Sequence, residues 1–270
     1  MTAVDLDAYA RDGFLVLEDF VSQTDCDDLR ARAAELVAGF DPGPIRTVFS
    51  TRDQGHARER YFRESGQAIH FFFEEEATDQ PVSLALNKIG HALHDLDPVF
   101  DRISRRPQFA ALANALGLEQ PLLLQSMYLF KQPRIGAEVG WHQDATYLHT
   151  RPSTVLGFWL ALDDADRDNG CLMALPGAHR GPLRQRFRQV GNEMVTTVLD
   201  PTPWPDIEPV ALEARRGTLV VLHGLLPHGS APNRSPRQRH AYALHLVDAR
   251  ADYLPDNWLQ RPGLPLRGFA

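Results

Sequence analysis

The sequence predicts a mainly β protein with flanking helices, in which an N-terminal helical layer packs on an antiparallel sandwich or jelly roll. Helix-like patterns end before Glu119, and the chain beyond it has strand-like segments separated by Gly, Pro, Asn and Asp turns. A parallel sheet would need a crossover, usually a helix, between successive strands, and the sequence offers none there. A length of 270 residues with 43% hydrophobic residues is ordinary for one globular domain.

The first 120 residues supply the helical layer and one strand. Ser22 is placed to cap a helix in which Leu29, Ala33 and Leu36 recur at helical spacing. The predicted elements are helices at 4–12, 23–39, 83–100 and 107–118, a strand at 13–20, and an irregular charged segment at 41–70.

Residues 121–250 are expected to form the β core and residues 251–270 a tail, so that residues 1–270 make a single domain. The predicted strands are 121–133, 138–148, 154–165, 170–179, 217–230 and 237–249. A jelly roll built from such strands leaves room for a central pocket.

The composition disfavours several classes of protein. The net charge of −7 argues against a protein that binds a nucleic-acid backbone, because such proteins usually carry a basic excess. There is no run of 18 apolar residues, and the acidic N-terminus lacks the apolar stretch of a secretory signal. The two cysteines, Cys26 and Cys171, do not make a disulfide framework. We therefore expect a cytoplasmic monomer with no membrane or nucleic-acid partner.

The stretch VGWHQDATYL (139–148) places an imidazole and a carboxylate two residues apart in an apolar segment. On a strand, His142 and Asp144 would point to the same face. A buried carboxylate is costly unless it is paired, hydrogen-bonded or bound to a metal. Two histidines and one carboxylate form the facial triad of non-haem Fe(II) oxygenases. The alternative is a chance pair, because a core histidine is more often hydrogen-bonded than bound to a metal.

The segment GTLVVLHGLLPHGS (217–230) offers two candidates for the second histidine, His223 and His228. They are five residues apart, so an unbroken strand would turn them to opposite faces. The glycine and proline between them can disturb that alternation, and spacing alone does not choose. Arg239 follows His228 by 11 residues across a predicted hairpin. Its guanidinium could hold the carboxylate of a bound cosubstrate, or it could be an exposed turn residue.

Further motifs run in order through most of the chain. They are DGFLVLEDF (12–20), FFFE (71–74), NKIGHALHDLDPVF (87–100), QSMYLFKQP (125–133), HQDATYL (142–148), DNGCL (168–172), PGAH (176–179), HGS (228–230) and PDNWLQ (255–260). Together these motifs resemble those of the phytanoyl-CoA dioxygenase family of Fe(II)/2-oxoglutarate oxygenases. So many ordered matches are far more specific than a single His-x-Asp pair.

The resemblance implies a double-stranded β-helix core (a jelly roll, cupin-like) with N-terminal helices. It implies that His142, Asp144 and His228 bind the metal, and that His223 is a core residue or a neighbour of the ligands. It also assigns the 2-oxoglutarate cosubstrate to Arg239. The residues expected to line the same pocket are Lys88, Met127, Trp159 and Ser230.

The activity implied by the resemblance uses Fe(II), 2-oxoglutarate and O2 to oxidise a C–H bond of a small-molecule substrate, with release of succinate and CO2. Hydroxylation is the default outcome. The presence of Asp144 disfavours a halogenase, which typically lacks this carboxylate. Trp141 departs from related sequences, which can carry a small residue or proline there. The alternative function is a non-catalytic, metal-binding, cupin-like module that binds a small molecule.

Overall fold

The computed structural model describes residues 4–43, 47–48, 60–77, 79–191 and 193–269. The helices are α1 (Leu6–Asp12), α2 (Gln23–Ala38), α3 (Arg60–Glu64), α4 (Val82–Ala85), α5 (Leu93–Leu96), α6 (Pro98–Ser104) and α7 (Pro107–Ala115). The strands are β1 (Phe14–Leu17), β2 (Ile69–Phe73), β3 (Leu86–His91), β4 (Pro121–Leu129), β5 (Val139–His142), β6 (Thr150–Arg151), β7 (Leu156–Ala161), β8 (Leu172–Ala174), β9 (Gln185–Val190), β10 (Glu193–Val198), β11 (Val210–Leu212), β12 (Leu219–His223), β13 (His228–Ser230), β14 (Ala241–Asp248) and β15 (Asp252–Tyr253).

Two antiparallel sheets form the jelly-roll core, as predicted. In the described part of the chain the larger sheet has seven strands in the order β1-β12-β7-β14-β4-β3-β2. The smaller sheet has four strands in the order β11-β8-β13-β5. The chain passes repeatedly between the sheets, since β4, β7, β12 and β14 lie in the larger one and β5, β8, β11 and β13 in the smaller one. This winding is that of a double-stranded β-helix.

The N-terminal helices cover the outer face of the larger sheet. Leu29 of α2, Phe100 of α6 and Phe109 of α7 share one buried cluster with Phe158 of β7 and Leu244 of β14. Because side chains alternate along a strand, the residues next to Phe158 and Leu244 point inwards, between the two sheets. The helical layer therefore seals one face of the sheet and leaves the other face for a cavity.

The predicted start of α2 is confirmed. The Ser22 hydroxyl accepts a hydrogen bond from the Asp25 backbone N–H at 3.1 Å, and the helix ends at Gly39. The cap satisfies one of the backbone donors left free at a helix start.

The helix predicted at 83–100 is wrong in its middle. β3 occupies Leu86–His91 and separates α4 from α5. It pairs with β2 on one side and with β4 on the other, so its backbone groups are satisfied by two ladders. Leu86 and Ile89 have a spacing that suits a helix, but pairing with neighbouring strands decides the local structure.

Two predicted strands are shorter than expected. β5 ends at His142, and Asp144 begins a single 3₁₀ turn at Asp144–Thr146 instead of continuing the strand. The segment predicted as one strand at 217–230 is divided into β12 and β13. Because the strand is interrupted, the five-residue separation of His223 and His228 no longer implies that they face opposite sides of one strand.

Other strands were not predicted from the sequence, namely β2, β6, the β9–β10 hairpin, β11 and β15. Of the segment predicted as irregular at 41–70, residues 44–46 and 49–59 lie outside the described residues, and the remainder contains α3 and the start of β2. Among the described residues, no helix combines the length and the apolar character needed to cross a bilayer.

A buried ion-pair cluster fixes the C-terminal tail to the helical layer. The Asp95 carboxylate, which follows the start of α5, pairs with Arg105 at 2.5 Å, with Arg267 at 2.9 Å and with Arg261. The Asp95 side chain has no exposed surface. Because Arg261 and Arg267 belong to the tail, this cluster joins residues about 170 positions apart in sequence.

Candidate active site

A cavity of about 1020 Å³ lies between the two sheets. Its volume is at the upper end of the roughly 300–1,000 Å³ typical of ligand pockets, so it has room for two small molecules. Two rows of directly opposed residues on the larger sheet contribute to its floor. One row is Met127, Ala243 and Trp159, and the next is Gln125, His245 and Gly157.

His142, Asp144 and His228 converge on one point of this cavity. His142 ends β5 and His228 begins β13, and the two residues are directly opposed in the smaller sheet. The Asp144 Oδ1 atom lies 3.7 Å from the Nε2 atoms of both histidines. One ligand atom from each residue lies within 4.8 Å of the others, so the three could hold a metal ion.

Backbone carbonyls orient both imidazoles of this group. The Nδ1 atom of His142 lies 2.9 Å from the Gly140 oxygen, and Nδ1 of His228 lies 3.0 Å from the Leu226 oxygen. In a neutral imidazole an Nδ1–H that donates to a carbonyl leaves the Nε2 lone pair free. Both free lone pairs therefore face Asp144, and the rings are held in the tautomer that binds a metal through Nε2.

A third histidine, which the sequence reasoning missed, lies on the other side of Asp144. Nε2 of His245, on β14, is 3.3 Å from Asp144 Oδ2. Asp144 thus presents Oδ1 to His142 and His228 and turns Oδ2 towards His245. The only sequence signal for His245 is its place on the strand that follows Arg239, where it resembles an ordinary core residue.

Gly157 of β7 provides the space that the Asp144 carboxylate occupies. A Cβ atom on Gly157 would lie 2.8 Å from Asp144 Oδ2, which is closer than real contacts of this kind. Any larger residue would therefore push the carboxylate away from its present position. This requirement is not visible in the sequence, because a glycine in a strand more often indicates a bulge or a close backbone approach.

The protonation states suit metal binding. Burial lowers the pKa of His142 to about 4, and repulsion from His228 adds to this effect. Burial raises the pKa of Asp144, but the imidazoles of His245 and His228 outweigh burial and hold this pKa below its ordinary range. At neutral pH His142 is neutral and Asp144 is ionised, which are the forms that bind metals.

Arg239 lies at the inner end of the cavity, beside two other residues singled out from the sequence. Its side chain is 3% exposed, and Nη2 lies 3.4 Å from the Ser230 hydroxyl. The guanidinium carbon is 5.2 Å from the centre of the Trp159 ring. Within the described part of the chain, Nε and Nη1 of Arg239 have no hydrogen-bond partner. Burial lowers the pKa of Arg239 to about 10, so the group remains a cation at neutral pH.

Lys88 and Met127 line the same cavity. Lys88 of β3 is directly opposed to Leu129 of β4, one row further from Asp144 than Met127 is. Burial lowers the pKa of Lys88 to about 7, with Glu74 acting in the opposite direction. The residues predicted for the cosubstrate pocket are thus gathered at one end of the cavity, in the direction of Arg239.

His223 is placed away from the cavity lining. Its Nδ1 accepts a hydrogen bond from the Leu225 backbone N–H at 3.1 Å. Its ring lies 5.0 Å from that of His179 and 6.1 Å from that of Tyr9 in α1. The turn between β12 and β13 directs His228, and not His223, towards Asp144.

Comparisons with known proteins identify the family of this chain. The sequence profile of the phytanoyl-CoA dioxygenase (PhyH) family matches residues 9–241. The chain is 41% identical to a phytanoyl-CoA dioxygenase of Arabidopsis thaliana over 273 residues, which cover 98% of this chain and 95% of that protein. It is 43% identical to phytanoyl-CoA dioxygenase domain-containing protein 1 of Bos taurus over 277 residues, which cover 96% of this chain and 95% of that protein.

Solved structures share the fold. The epimerase SnoN in complex with Fe3+, alpha ketoglutarate and nogalamycin RO has a TM-score of 0.70 at 19% identity, and the match covers 97% of this chain and 94% of that one. EctD from S. alaskensis with 2-oxoglutarate and 5-hydroxyectoine has a TM-score of 0.69 at 23% identity, with coverage of 98% and 85%. The predicted jelly roll and the predicted dioxygenase family are both confirmed, and the chain belongs to the phytanoyl-CoA dioxygenase (PhyH) family.

Proposed function

We propose that this protein is an Fe(II)- and 2-oxoglutarate-dependent oxygenase that oxidises a C–H bond of a small molecule. The observation that carries the proposal is the placement of two different sites in one cavity. The ligand atoms of a two-histidine, one-carboxylate cluster lie within 4.8 Å of one another. The buried Arg239, whose Nε and Nη1 have no partner among the described residues, lines the same cavity. A ferrous ion and a dicarboxylate cosubstrate need this combination.

The donor set of the cluster fits iron. Two neutral imidazole nitrogens and one carboxylate oxygen, from His142, His228 and Asp144, are the ligands of the non-haem iron facial triad. A ferrous ion held by these three residues would keep coordination positions for ligands from the cavity. When bound, the iron and 2-oxoglutarate supply the oxidising chemistry, with succinate and CO2 as products.

Arg239 is assigned to the distal carboxylate of 2-oxoglutarate. A guanidinium can hold a carboxylate through two parallel hydrogen bonds, and its charge is permanent. The Ser230 hydroxyl accepts a hydrogen bond from Nη2 of Arg239, while Trp159 lies against the guanidinium. Met127 lies in the same row as Trp159, on the other side of Ala243, and Lys88 adds a buried amine whose pKa is lowered to about 7.

His245 and Gly157 act through Asp144. A hydrogen bond from His245 Nε2 to Oδ2 would occupy one carboxylate oxygen and leave Oδ1 as the single metal-binding atom. Gly157 permits that orientation because it has no side chain. Hydrogen-bonded neighbours of this kind fix ligand geometry, and their loss typically costs about 10- to 100-fold in metal affinity.

A non-catalytic metal-binding module of the same fold is the rival function, and turnover separates the two. The metal-free protein is loaded with Fe(II) and 2-oxoglutarate under anaerobic conditions, exposed to O2 and assayed for succinate. We expect succinate in the wild type and in His223→Ala, and none above background in Asp144→Asn. Tight iron binding without any conversion of 2-oxoglutarate would support the binding module and contradict the proposal.

A further inference from the structure

Lys131 and Arg239 are two buried basic residues that occupy opposed positions at the inner end of the cavity. The register of β4 with β14 pairs Leu129 with Ala241, so two residues further on it brings Lys131 opposite Arg239, just beyond both strands. The Arg239 backbone N–H donates to the Lys131 carbonyl at 3.2 Å. Both residues are at most 5% exposed. Opposed residues of an antiparallel pair lie close together, and like charges in such positions are destabilising.

The Lys131 side chain packs against the backbone that supports the guanidinium of Arg239. A Cβ atom on Gly170 would meet Lys131 Cε, so the missing side chain makes room for the lysine. The Gly170 carbonyl accepts a hydrogen bond from the Ser230 hydroxyl at 2.9 Å, and that hydroxyl accepts one from Arg239 Nη2. Lys131 Nζ itself donates to the Ala137 carbonyl at 2.8 Å. Lys131 is not part of the cavity lining, so it acts on a bound molecule through Arg239.

The charged and titratable groups that face Lys131 come from several elements. Among the described residues they are Arg239 before β14, Glu74 after β2, Glu138 before β5 and Cys171 before β8. Burial and the Arg239 cation lower the pKa of Lys131 to about 6, and the two glutamates oppose this effect only in part. Burial raises the pKa of the Cys171 thiol to about 11, so the thiol is neutral at ordinary pH. Without a cosubstrate, Lys131 is therefore mostly a neutral amine at pH 7.

Other basic residues near Arg239 line the cavity itself, namely Lys88, Arg134 and Arg234. Arg134 and Arg234 are exposed, so water and salt screen their charges. Lys88 is buried, and its pKa is lowered to about 7 by burial. Lys88 is therefore the other amine at this end that could change its protonation state when an anion binds.

We propose that Lys131 is a positioning residue of the cosubstrate site, which takes up a proton when the distal carboxylate of 2-oxoglutarate binds Arg239. The carboxylate compensates the guanidinium charge, and a nearby anion favours the charged form of an amine. The neutral amine takes one proton from the solvent and becomes an ammonium ion. The inference rests on the proposed function for the identity of the cosubstrate. Because the pKa of Lys131 is then higher in the complex than in the free protein, the affinity for 2-oxoglutarate falls as the pH rises between the two values.

Isothermal titration calorimetry of the Mn(II)-loaded protein under anaerobic conditions counts these protons. 2-Oxoglutarate is titrated at pH 7 in buffers of different ionisation enthalpy, and the dependence of the observed enthalpy on the buffer gives the uptake. We expect roughly 0.5–1 proton per bound molecule in the wild type. Lys131→Met has a similar length without an ionisable group, and its uptake should fall to about 0.2 or less. Lys131→Arg keeps a permanent cation, so it should bind without proton uptake and at least as tightly as the wild type at pH 8.

The pH profile of the affinity gives a second readout, which a purely structural role of Lys131 would not change. The logarithm of the affinity falls with pH by the number of protons taken up, so the wild-type Kd should rise about threefold or more from pH 6.5 to 7.5. In Lys131→Met and Lys131→Arg the rise should stay below about twofold. The matched control is Arg234→Met, which removes an exposed cation from the same end and should keep the wild-type proton count.

Lys88→Met separates the two buried lysines, because uptake should persist in this variant. Loss of uptake in Lys88→Met with retention in Lys131→Met would overturn the assignment, and so would a wild type that binds 2-oxoglutarate without taking up protons. Either result would leave the proposed oxygenase function intact, because no turnover is measured. A Mn(II)-loaded protein that does not bind 2-oxoglutarate at all would instead contradict the proposed cosubstrate, and the inference would fail with it.

Discussion

Two buried aspartates, Asp95 and Asp144, are neutralised in opposite ways. The Asp95 side chain is completely buried and pairs with the three arginines Arg105, Arg261 and Arg267. The Asp144 side chain is 8% exposed, and its charged or ionisable contacts among the described residues are three imidazoles. Both carboxylates have a pKa below the ordinary range despite burial. At Asp95 the causes are the imidazole of His94, 3.1 Å away, and then the permanent cation of Arg261, whereas at Asp144 they are imidazoles alone.

The difference separates a structural carboxylate from a functional one. At Asp95 the folded chain supplies all of the compensating charge, so the cluster needs no ligand to be stable. At Asp144 the compensation comes only from titratable imidazoles, and burial keeps one of them, His142, neutral at ordinary pH. In the proposed function a divalent metal ion would complete this compensation, because a buried carboxylate is tolerated when it is bound to a metal.

Removal of each charge should have very different effects on stability. Asp95→Asn removes the carboxylate that pairs with the buried Arg261 and leaves Arg105 and Arg267 with Asp101 alone, so it should lower the free energy of unfolding by about 3–5 kcal/mol. Asp144→Asn in the metal-free protein removes a charge that is not paired with an arginine or lysine. This variant should change the free energy of unfolding by less than about 1.5 kcal/mol. Urea denaturation of the metal-free proteins measures both. Equal losses in the two variants would break the comparison.

The Asp95 effect also has a defined pH dependence. The folded-state pKa of Asp95 is depressed, whereas its unfolded value is about 3.9. Its contribution to stability is therefore complete above the unfolded pKa and is lost as the pH falls towards the folded one. The gap in stability between wild type and Asp95→Asn should be constant from about pH 5 to pH 8 and should narrow below about pH 4. Denaturation curves measured across this range would show it, and a gap that widens on acidification would contradict it.

Arg239 is a second buried charge that lacks full compensation, because its Nε and Nη1 atoms have no hydrogen-bond partner among the described residues. Loss of one partner of a buried charge pair typically costs about 2–5 kcal/mol, or roughly 30- to several-thousand-fold in affinity. Arg239→Ala should raise the KM for 2-oxoglutarate by that order and leave metal affinity nearly unchanged. Arg239→Lys should restore only part of the loss, because a point charge cannot form the two-bond fork.

Lys88 is the competing anchor for the same carboxylate, and Lys88→Ala is the matched variant. If Lys88→Ala raises the KM for 2-oxoglutarate while Arg239→Ala leaves it normal, the role assigned to Arg239 is wrong. Steady-state measurement of succinate formation at varied 2-oxoglutarate decides between the two.

Stabilisation of the protein by a bound metal should require Asp144 and should not require Asp95. A ligand at 100 times its Kd raises the free energy of unfolding by about 2.7 kcal/mol when it binds only the folded state. Mn(II), used in place of iron to avoid oxidation, should raise the Tm of the wild type. It should leave the Tm of Asp144→Asn unchanged and still raise that of Asp95→Asn. A Tm increase of wild-type size in Asp144→Asn would place the metal elsewhere.

Gly157 offers the smallest and most local perturbation of the site. Gly157→Ala introduces a Cβ atom 2.8 Å from Asp144 Oδ2 and should weaken Mn(II) binding by about 10- to 100-fold. Gly140→Ala is the control, because a Cβ there meets no atom within 4 Å. Metal titration followed by electron paramagnetic resonance of free Mn(II) measures both affinities. Equal affinities in the two variants would show that the position of the carboxylate does not limit binding.

The fold and most of the candidate site residues could be predicted because they belong to local patterns or to an ordered set of motifs. His142 and Asp144 are two residues apart, and the jelly roll follows from strands without intervening helices. His245 and Gly157 were missed because their roles arise from the pairing of β14 with β7, which places distant residues side by side. β3 was assigned to a helix for the same reason, since its strand state depends on ladders formed with β2 and β4.

The most direct test is a crystal structure of the protein with Mn(II) and 2-oxoglutarate, with the metal located by anomalous scattering. The account predicts one metal peak about 2.0–2.3 Å from Nε2 of His142, Nε2 of His228 and Oδ1 of Asp144. It also predicts a dicarboxylate that extends from this metal to the guanidinium of Arg239. A metal bound at His223 and His179, or a 2-oxoglutarate molecule that does not contact Arg239, would contradict the account.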